Sequence, residues 1–316
     1  MRLLVAALLL LVLAAGCGDD GGGEVEPGEQ ARLRVLDTAG VPSAFLEYGV
    51  QKGFFEQHGL DVEVTPSQGG AAAVPAVVSG DSDIAGSNVV SVLLAQAKDV
   101  PIKIVAPGTF VQADEQQDFS AILVPDDSDI RSPRDLEGKT MAVNTLENVA
   151  ELTAKESLSK QGVDVSGIEL AEVDFPDMNG ALTQGRVDAA FQIEPFVSLG
   201  LKEGLRVIDR PYVGTKPGLQ IGSYFTSERF LAENADVVER FRQGVADTAA
   251  AIGEEPADFR RFLPEASEIP PPAARAAVLP EWKAENDPAS LDLTAALMER
   301  YGVVDEKPDT SDAVAE

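Results

Sequence analysis

Two stretches of this chain copy each other's layout at a fixed spacing, and that repeat restricts the fold more than any other feature. The first runs LRVLDT, AFLEYGVQKGFFEQ, HGLDVEVTPS and then AAAVPAVVSGDSDIAGSN; the second runs TMAVNT, LENVAELTAKESLSK, QGVDVSGIELAEVDF and then MNGALTQGRVDAAFQIEP. Each copy holds a short apolar strand ending in Asp-Thr or Asn-Thr, a helical stretch, and Gly-[Leu/Val]-Asp-Val before a second strand. A further helix then ends in Gly-x-x-Asp, so that Gly80 and Asp83 recur as Gly185 and Asp188, 105 residues on. Strands alternating with helices call for a parallel α/β layer. Gly80 and Gly185 stand where a helix stops and a left-handed residue is needed. Asp83 and Asp188 each open the next strand and are expected to make strand-start hydrogen bonds rather than to do chemistry.

The chain is therefore expected to be α/β, with two similar lobes around a central cleft. In open α/β sheets ligands bind beyond the carboxyl ends of the strands, so two such lobes facing each other share one site. The extended apolar stretches SAILVPDD and GLQIGSYFTS read as hinge strands between them. We place the first lobe at residues 32–122 plus 216–316 and the second at 123–215. Beyond Ser227 the pattern is helical. DVVERFRQGVADTAAAIG puts Val238, Phe241, Val245 and Ile252 on one face, and DPASLDLTAALMERYG starts a second helix at Asp287-Pro288. Both are expected to pack on the first lobe.

Residues 1–16, MRLLVAALLLLVLAAG, join one basic residue to an apolar run too short to span a bilayer, which is the pattern of a secretory signal. Cys17 follows directly and is the only cysteine. The small residues before it resemble the lipobox of bacterial lipoproteins, with Ala14 where that pattern usually has leucine. Cys17 is thus expected to carry lipid and to anchor the protein to the membrane. Residues 17–31 hold mainly glycine and acids, a flexible and self-repelling linker. The remainder of the 316 residues suffices for two lobes, and 44% hydrophobic residues suffice for a core. The formal net charge of −28 disfavours nucleic acid and anionic lipid as partners.

Several of these stretches together resemble a known group. KGFFEQHGLDVEV, the SGDSDIAGSN stretch, SPRDLEGKTMAV, GRVDAAFQIEPF and LPEW are similar to segments of the solute-binding lipoproteins of ABC importers, within the group that takes nitrate, sulfonates, taurine and thiamine-type pyrimidines. The resemblance spans nearly the whole mature chain. It implies a periplasmic-binding-protein-like fold, an extracytoplasmic location on the outer face of the cell membrane, a permease as partner, a small-molecule ligand, and a monomer. It does not choose the ligand.

The strand-end loops supply the candidate site. Ser43 can cap a helix after the first strand. Gln68, Gly69 and Gly70 precede the next helix, whose bare N–H groups would suit a sulfonate, nitrate or carboxylate. Ser87 or Asn88 caps the one after. In the second lobe Asn144 and Thr145 follow a strand, and Asn144 with Glu147 reads as a capping box. Relatives carry Gly-Ser or Gly-Thr there, and the glutamate weighs against a purely anionic ligand. Glu194 either accepts from an ammonium or aminopyrimidine ligand or compensates a helix N-terminus beginning at Pro195. Tyr224 either walls the cleft or packs in the hinge.

Uptake of a small polar solute, sulfonate- or taurine-like, is the first reading. Binding of a thiamine-precursor aminopyrimidine and service as an extracytoplasmic sensor lobe are the alternatives. An enzyme is not expected. Some relatives build thiamine precursor at histidine- and cysteine-rich iron sites, but this chain has one histidine, His58, at a helix end, and its one cysteine is assigned to the anchor. No Ser/His/Asp set and no GxxxxGK[ST] loop is present. No metal and no cofactor are expected.

Overall fold

The computed structural model describes residues 30–67, 70–114, 117–266 and 270–315; the signal, Cys17 and most of the linker lie outside them. The first lobe begins with β1 (Ala31–Thr38), α1 (Val41–Gln51), β2 (Leu60–Ser67), α2 (Gly70–Ser79), β3 (Ile84–Asn88), α3 (Val89–Ala97), β4 (Ile102–Pro107) and the short β5 (Thr109–Phe110). The second lobe holds β6 (Ser120–Pro125), β7 (Thr140–Val143), α4 (Val149–Lys160), β8 (Glu169–Glu172), α5 (Phe175–Thr183), β9 (Ala189–Ile193), α6 (Phe196–Lys202), β10 (Leu205–Asp209) and α7 (Pro211–Thr215). The chain returns through β11 (Gly222–Ser227) and ends with α8 (Glu228–Glu233), α9 (Ala235–Glu254), α10 (Pro256–Ala266), α11 (Pro271–Ala276), β12 (Glu281–Trp282) and α12 (Pro288–Arg300).

The repeat is carried through to topology. The sheets have orders β2-β1-β3-β11-β4 and β8-β7-β9-β6-β10. In each, three parallel strands are followed by one antiparallel strand, and that strand, β11 or β6, is the one arriving from the other lobe. The two Gly-x-x-Asp turns do the same work. Gly80 and Gly185 have φ of 83° and 66°. Asp83 accepts from the backbone N–H of Arg34 at 2.8 Å, and Asp188 from that of Thr140 at 2.9 Å. Each aspartate thus ties the start of its strand to the central parallel strand, at Arg34 within β1 and at Thr140, the first residue of β7.

The crossings are not free-standing hinge strands. β6 pairs with β9 from Ser120 to Leu123, so the passage into the second sheet lies before Ser120 rather than at residue 122. Buried Asp118 fixes it by accepting from Ser120 N–H and Oγ–H at 2.7 and 2.8 Å and from Val213 N–H at 2.8 Å. The return passage is held by buried Gln220, which donates to Asn286 Oδ1 at 2.7 Å and accepts from Asp287 N–H at 2.8 Å.

The late helices follow their periodicity. Val238, Phe241, Val245 and Ile252 of α9 are buried against α1 and β12, where Phe45 stacks on Trp282 at 5.0 Å. Asp287 caps α12 by accepting from Ala289 N–H. This helix packs on α3 of the first lobe and also on α4 of the second. After it, the chain covers the edge of β4, with Ala315 N–H donating to Ile104 O at 2.8 Å. Among the described residues no helix is long and apolar enough to cross a membrane.

Candidate functional site

The carboxyl ends of β1, β3, β7 and β9 point at one cavity between the lobes. Its first-lobe wall includes Asp37, Thr38 and Ser87; its second-lobe wall includes Phe119, Asn144, Val149, Phe175, Ile193 and Tyr212; the crossings contribute Gly108, Thr109 and Ile221–Tyr224. None of the described lining residues is lysine, arginine or histidine, and Asp37 is their only carboxylate.

Asp37 is where β1 turns from core to chemistry. Strand alternation puts Leu33, Val35 and Asp37 on one buried face. The pair Leu36–Ala85 leaves Asp37 beside Gly86 of β3, and Gly86 pairs with Tyr224 of β11. A Cβ on Gly86 would lie 2.1 Å from Asp37 Oδ1. The missing side chain lets the carboxylate reach across β3, where the Tyr224 hydroxyl donates to Oδ2 at 3.1 Å and Thr38 N–H donates to Oδ1 at 2.7 Å. Asp37 is 3% exposed and has no cationic partner among the described residues. Burial pushes its pKa up to about 7 against the pull of those two donors, and burial together with Asp37 holds the Tyr224 hydroxyl well above its ordinary range.

The other sequence candidates divide. Ser87 and Asn88 line the cavity, and Asn88 is the N-cap of α3, accepting from Ser91 N–H at 2.9 Å. Asn144 lines it too, with Nδ2 donating to Thr145 Oγ1 at 3.4 Å; Thr145 itself is not in the wall. Asn144 follows β7 at the place that Thr38 holds in β1, while Val143 stands at that of Asp37, so the second lobe has no counterpart of the carboxylate.

The Asn144–Glu147 capping box does not form. The cap of α4 is Asn148, four residues later, which accepts from Val149 N–H, while Glu147 takes φ 53° and donates its N–H to Glu151. NTLENVAEL offers two asparagines with a glutamate three residues on, and the second register lets the buried Val149 and Leu152 face the core.

Ser43 lies within the first turn of α1, where Gly40 is the N-cap. Its hydroxyl donates to Gly40 O at 3.3 Å and does not reach the cavity wall. Gly70 opens α2; Gln68 and Gly69 are outside the described residues. Tyr224 is in the wall.

Glu194 is not in the wall. Its buried carboxylate accepts from Ser198 N–H and Oγ–H, both at 3.0 Å, and from Val278 N–H at 3.2 Å. Burial raises its pKa while those donors oppose the rise. The bond to Val278 joins the second lobe to the C-terminal part of the first. A second tie lies on α4, where buried Glu156 accepts from Arg300 Nη1 at 2.9 Å and from Tyr301 Oη at 2.8 Å. The lobes are thus bonded to each other around the cavity.

Asp37, Phe119, Phe175 and Tyr212 line the cavity and were not singled out from the sequence. The model of the family described as NMT1/THI5 like matches residues 43–258, most of both lobes. The chain belongs to the NMT1/THI5-like family. This member is 24% identical to the formylaminopyrimidine-binding protein of Halalkalibacterium halodurans over 59% of its own length and 54% of the relative's. It is 24% identical to the taurine-binding periplasmic protein of Escherichia coli over 61% and 58%, and 25% identical to the putative binding protein YtlA of Bacillus subtilis over 68% and 64%. The chain thus spans less than two thirds of the length of these curated relatives. The solved alkanesulfonate-binding protein SsuA from Xanthomonas axonopodis pv. citri, bound to MOPS, is similar with TM-score 0.75 and 20% identity, over 91% of this chain and 98% of that one. That likeness establishes the periplasmic-binding-protein fold.

Proposed function

We propose that this chain is the extracytoplasmic solute-binding component of an ABC importer, closing its two lobes on a small solute and presenting it to a permease. The observation that carries the reading is the cavity where the parallel strands of both lobes end. The relatives support it, being named as binding proteins for taurine and for formylaminopyrimidine, and they support a binder rather than an enzyme. A sulfonate- or taurine-like solute is the first ligand reading from sequence. The cavity favours the second, an aminopyrimidine-type ring, because its wall is aromatic and its described residues include no cation.

Thermal unfolding of the purified protein against a panel of taurine, alkanesulfonates, nitrate and aminopyrimidines tests the reading. A ligand at about 100 times its Kd adds about 2.7 kcal/mol, a rise in Tm of several degrees. An unchanged Tm with every member of the panel would refute solute binding.

The anchor is part of the same proposal. A diacylglyceryl group on Cys17 holds the lobes at the outer face of the membrane, and the glycine-rich acidic linker keeps them at high local concentration near the permease. Cys17→Ser is expected to move the protein from the membrane fraction to the soluble fraction or medium, with its melting unchanged. Retention in membranes would sink the anchor and leave the binding reading standing.

A further inference from the structure

The cavity holds an acid with no cation. Asp37 is 3% exposed, and two donors, Thr38 N–H and Tyr224 Oη–H, meet a carboxylate that has about four acceptor positions. A buried charge of this kind is expensive unless something pairs with it. The protein has arranged for the acid to be there. Three neighbouring strands are in register, and glycine stands on the middle one where any side chain would collide with the carboxylate.

The remaining polar groups offer little to an anion. The Asn88 amide is spent on Ser91, the Asn144 amide donates to Thr145, and the Tyr224 hydroxyl is committed to Asp37. The charged and titratable groups around Asp37 are Tyr224 on β11 and Glu47 on α1, with Tyr212 across the cavity. Among the described lining residues the only titratable groups an incoming anion would meet are one acid and two phenols, with no cation. Flat aromatic faces, by contrast, are at hand. Phe119 and Tyr212 pack at 5.0 Å, Phe175 stacks on Phe196, and the Tyr212 hydroxyl makes no hydrogen bond among the described residues. Aromatic faces attract cations and stack on planar rings.

We propose that Asp37 is the specificity-determining residue of this cavity, requiring a planar ligand that brings a cationic or N–H-donating nitrogen to the carboxylate, and rejecting free anions. The proposal rests on the solute-binding reading and narrows it. The ligand nitrogen supplies the missing partner of Asp37, and its ring lies among Phe119, Phe175 and Tyr212. Because burial holds the empty site's carboxyl near neutrality, a cation entering below about pH 7 displaces the Asp37 proton.

Calorimetric titration of the purified protein with matched planar probes tests this. Benzamidine and 4-aminopyrimidine carry the required nitrogen; benzenesulfonate and nitrate are anions. Binding of the first pair and none of the second is expected. Asp37→Asn keeps the shape and is expected to weaken benzamidine by about 30-fold or more, the effect of losing a charge-assisted bond. A second readout needs no variant. Benzamidine stays charged throughout, so its affinity is expected to rise with pH from 5 to about 7, with a proton released on binding, and to be flat in Asp37→Asn. Anions binding as well as the cations, or an Asp37→Asn protein that keeps its benzamidine affinity, would overturn the proposal while leaving solute binding intact. No binding by any probe of either charge would count against the solute-binding reading itself.

Discussion

Asp37→Asn should make the ligand-free protein more stable above neutral pH and leave it nearly unchanged in acid. An unfolded aspartate titrates near 3.9, whereas burial lifts Asp37 to about 7 in the folded protein. Between those values the native state holds a proton that the unfolded chain has released. Stability therefore falls as pH rises through that window and levels off above about 7. At about 1.4 kcal/mol per pH unit the full loss is on the order of 4 kcal/mol. Asparagine resembles the protonated acid and cannot ionise. Its oxygen can accept from Thr38 N–H and its amide can donate to the Tyr224 oxygen, so both present bonds have a replacement. For a chain of this size each kcal/mol is worth about 2–4 °C, so Tm should rise by several degrees at pH 8 and by little at pH 4. Thermal melts at the two pH values decide it. A variant destabilised at both, or shifted equally at both, would show that Asp37 is not held as a costly acid.

Such a cost makes sense only in a site that recovers it on binding. The wild-type chain keeps an ionisable group where a neutral one would be more stable, the trade between stability and activity seen at functional sites. The lobes show related expenditure. Glu194 and Glu156 are also buried acids, but each is surrounded by donors that the fold supplies. Asp37 differs in having room left for a donor from outside.

The architecture was legible in sequence because it is written twice. Gly80 and Asp83 predicted the turn that Gly185 and Asp188 repeat, and period-3.6 patterning gave α9 its buried face. Tertiary pairing was less legible. SAILVP and GSYFTS read as connectors because nothing local reveals that each adds an antiparallel strand to the sheet it enters. Glu194 was read toward the cleft from its strand-end position, yet Ser198 N–H one helical turn on captures its carboxylate. The strongest overlooked signal lay in LRVLD. Strand alternation already assigned Asp37 to the same face as Leu33 and Val35, and an acid in a core register at a strand's carboxyl end marks a ligand site. Phe119 and Tyr212 lie outside any shared motif, and the tertiary packing of the second lobe brings them together at 5.0 Å.

The crossing between the lobes should be the position least tolerant of a methyl group. Gly108 and Gly222 pass each other in the cavity wall, with Gly108 N–H donating to Gly222 O at 3.0 Å. A Cβ on Gly108 would stand 2.8 Å from Gly222 C and 2.9 Å from Ser223 N; a Cβ on Gly222 would stand 2.9 Å from Thr109 N. These neighbours are backbone atoms in the two passages that join the lobes, so no rotamer change relieves the contact. Gly108→Ala must spread the crossing, weaken the bond to Gly222 O and move the wall on which the ligand rests. Overpacking of this kind costs about 1–3 kcal/mol, and displacement of the wall by a fraction of an ångström should also cut ligand affinity by more than about tenfold. Gly253→Ala is the control. That glycine lies within α9 with nothing near its absent Cβ, so alanine there should add about 0.5–1 kcal/mol through helix propensity and leave binding untouched. Melting temperature and calorimetric affinity for the two variants separate the effects. A Gly108→Ala protein that melts and binds like wild type would mean that the passages have slack the paired glycines do not show.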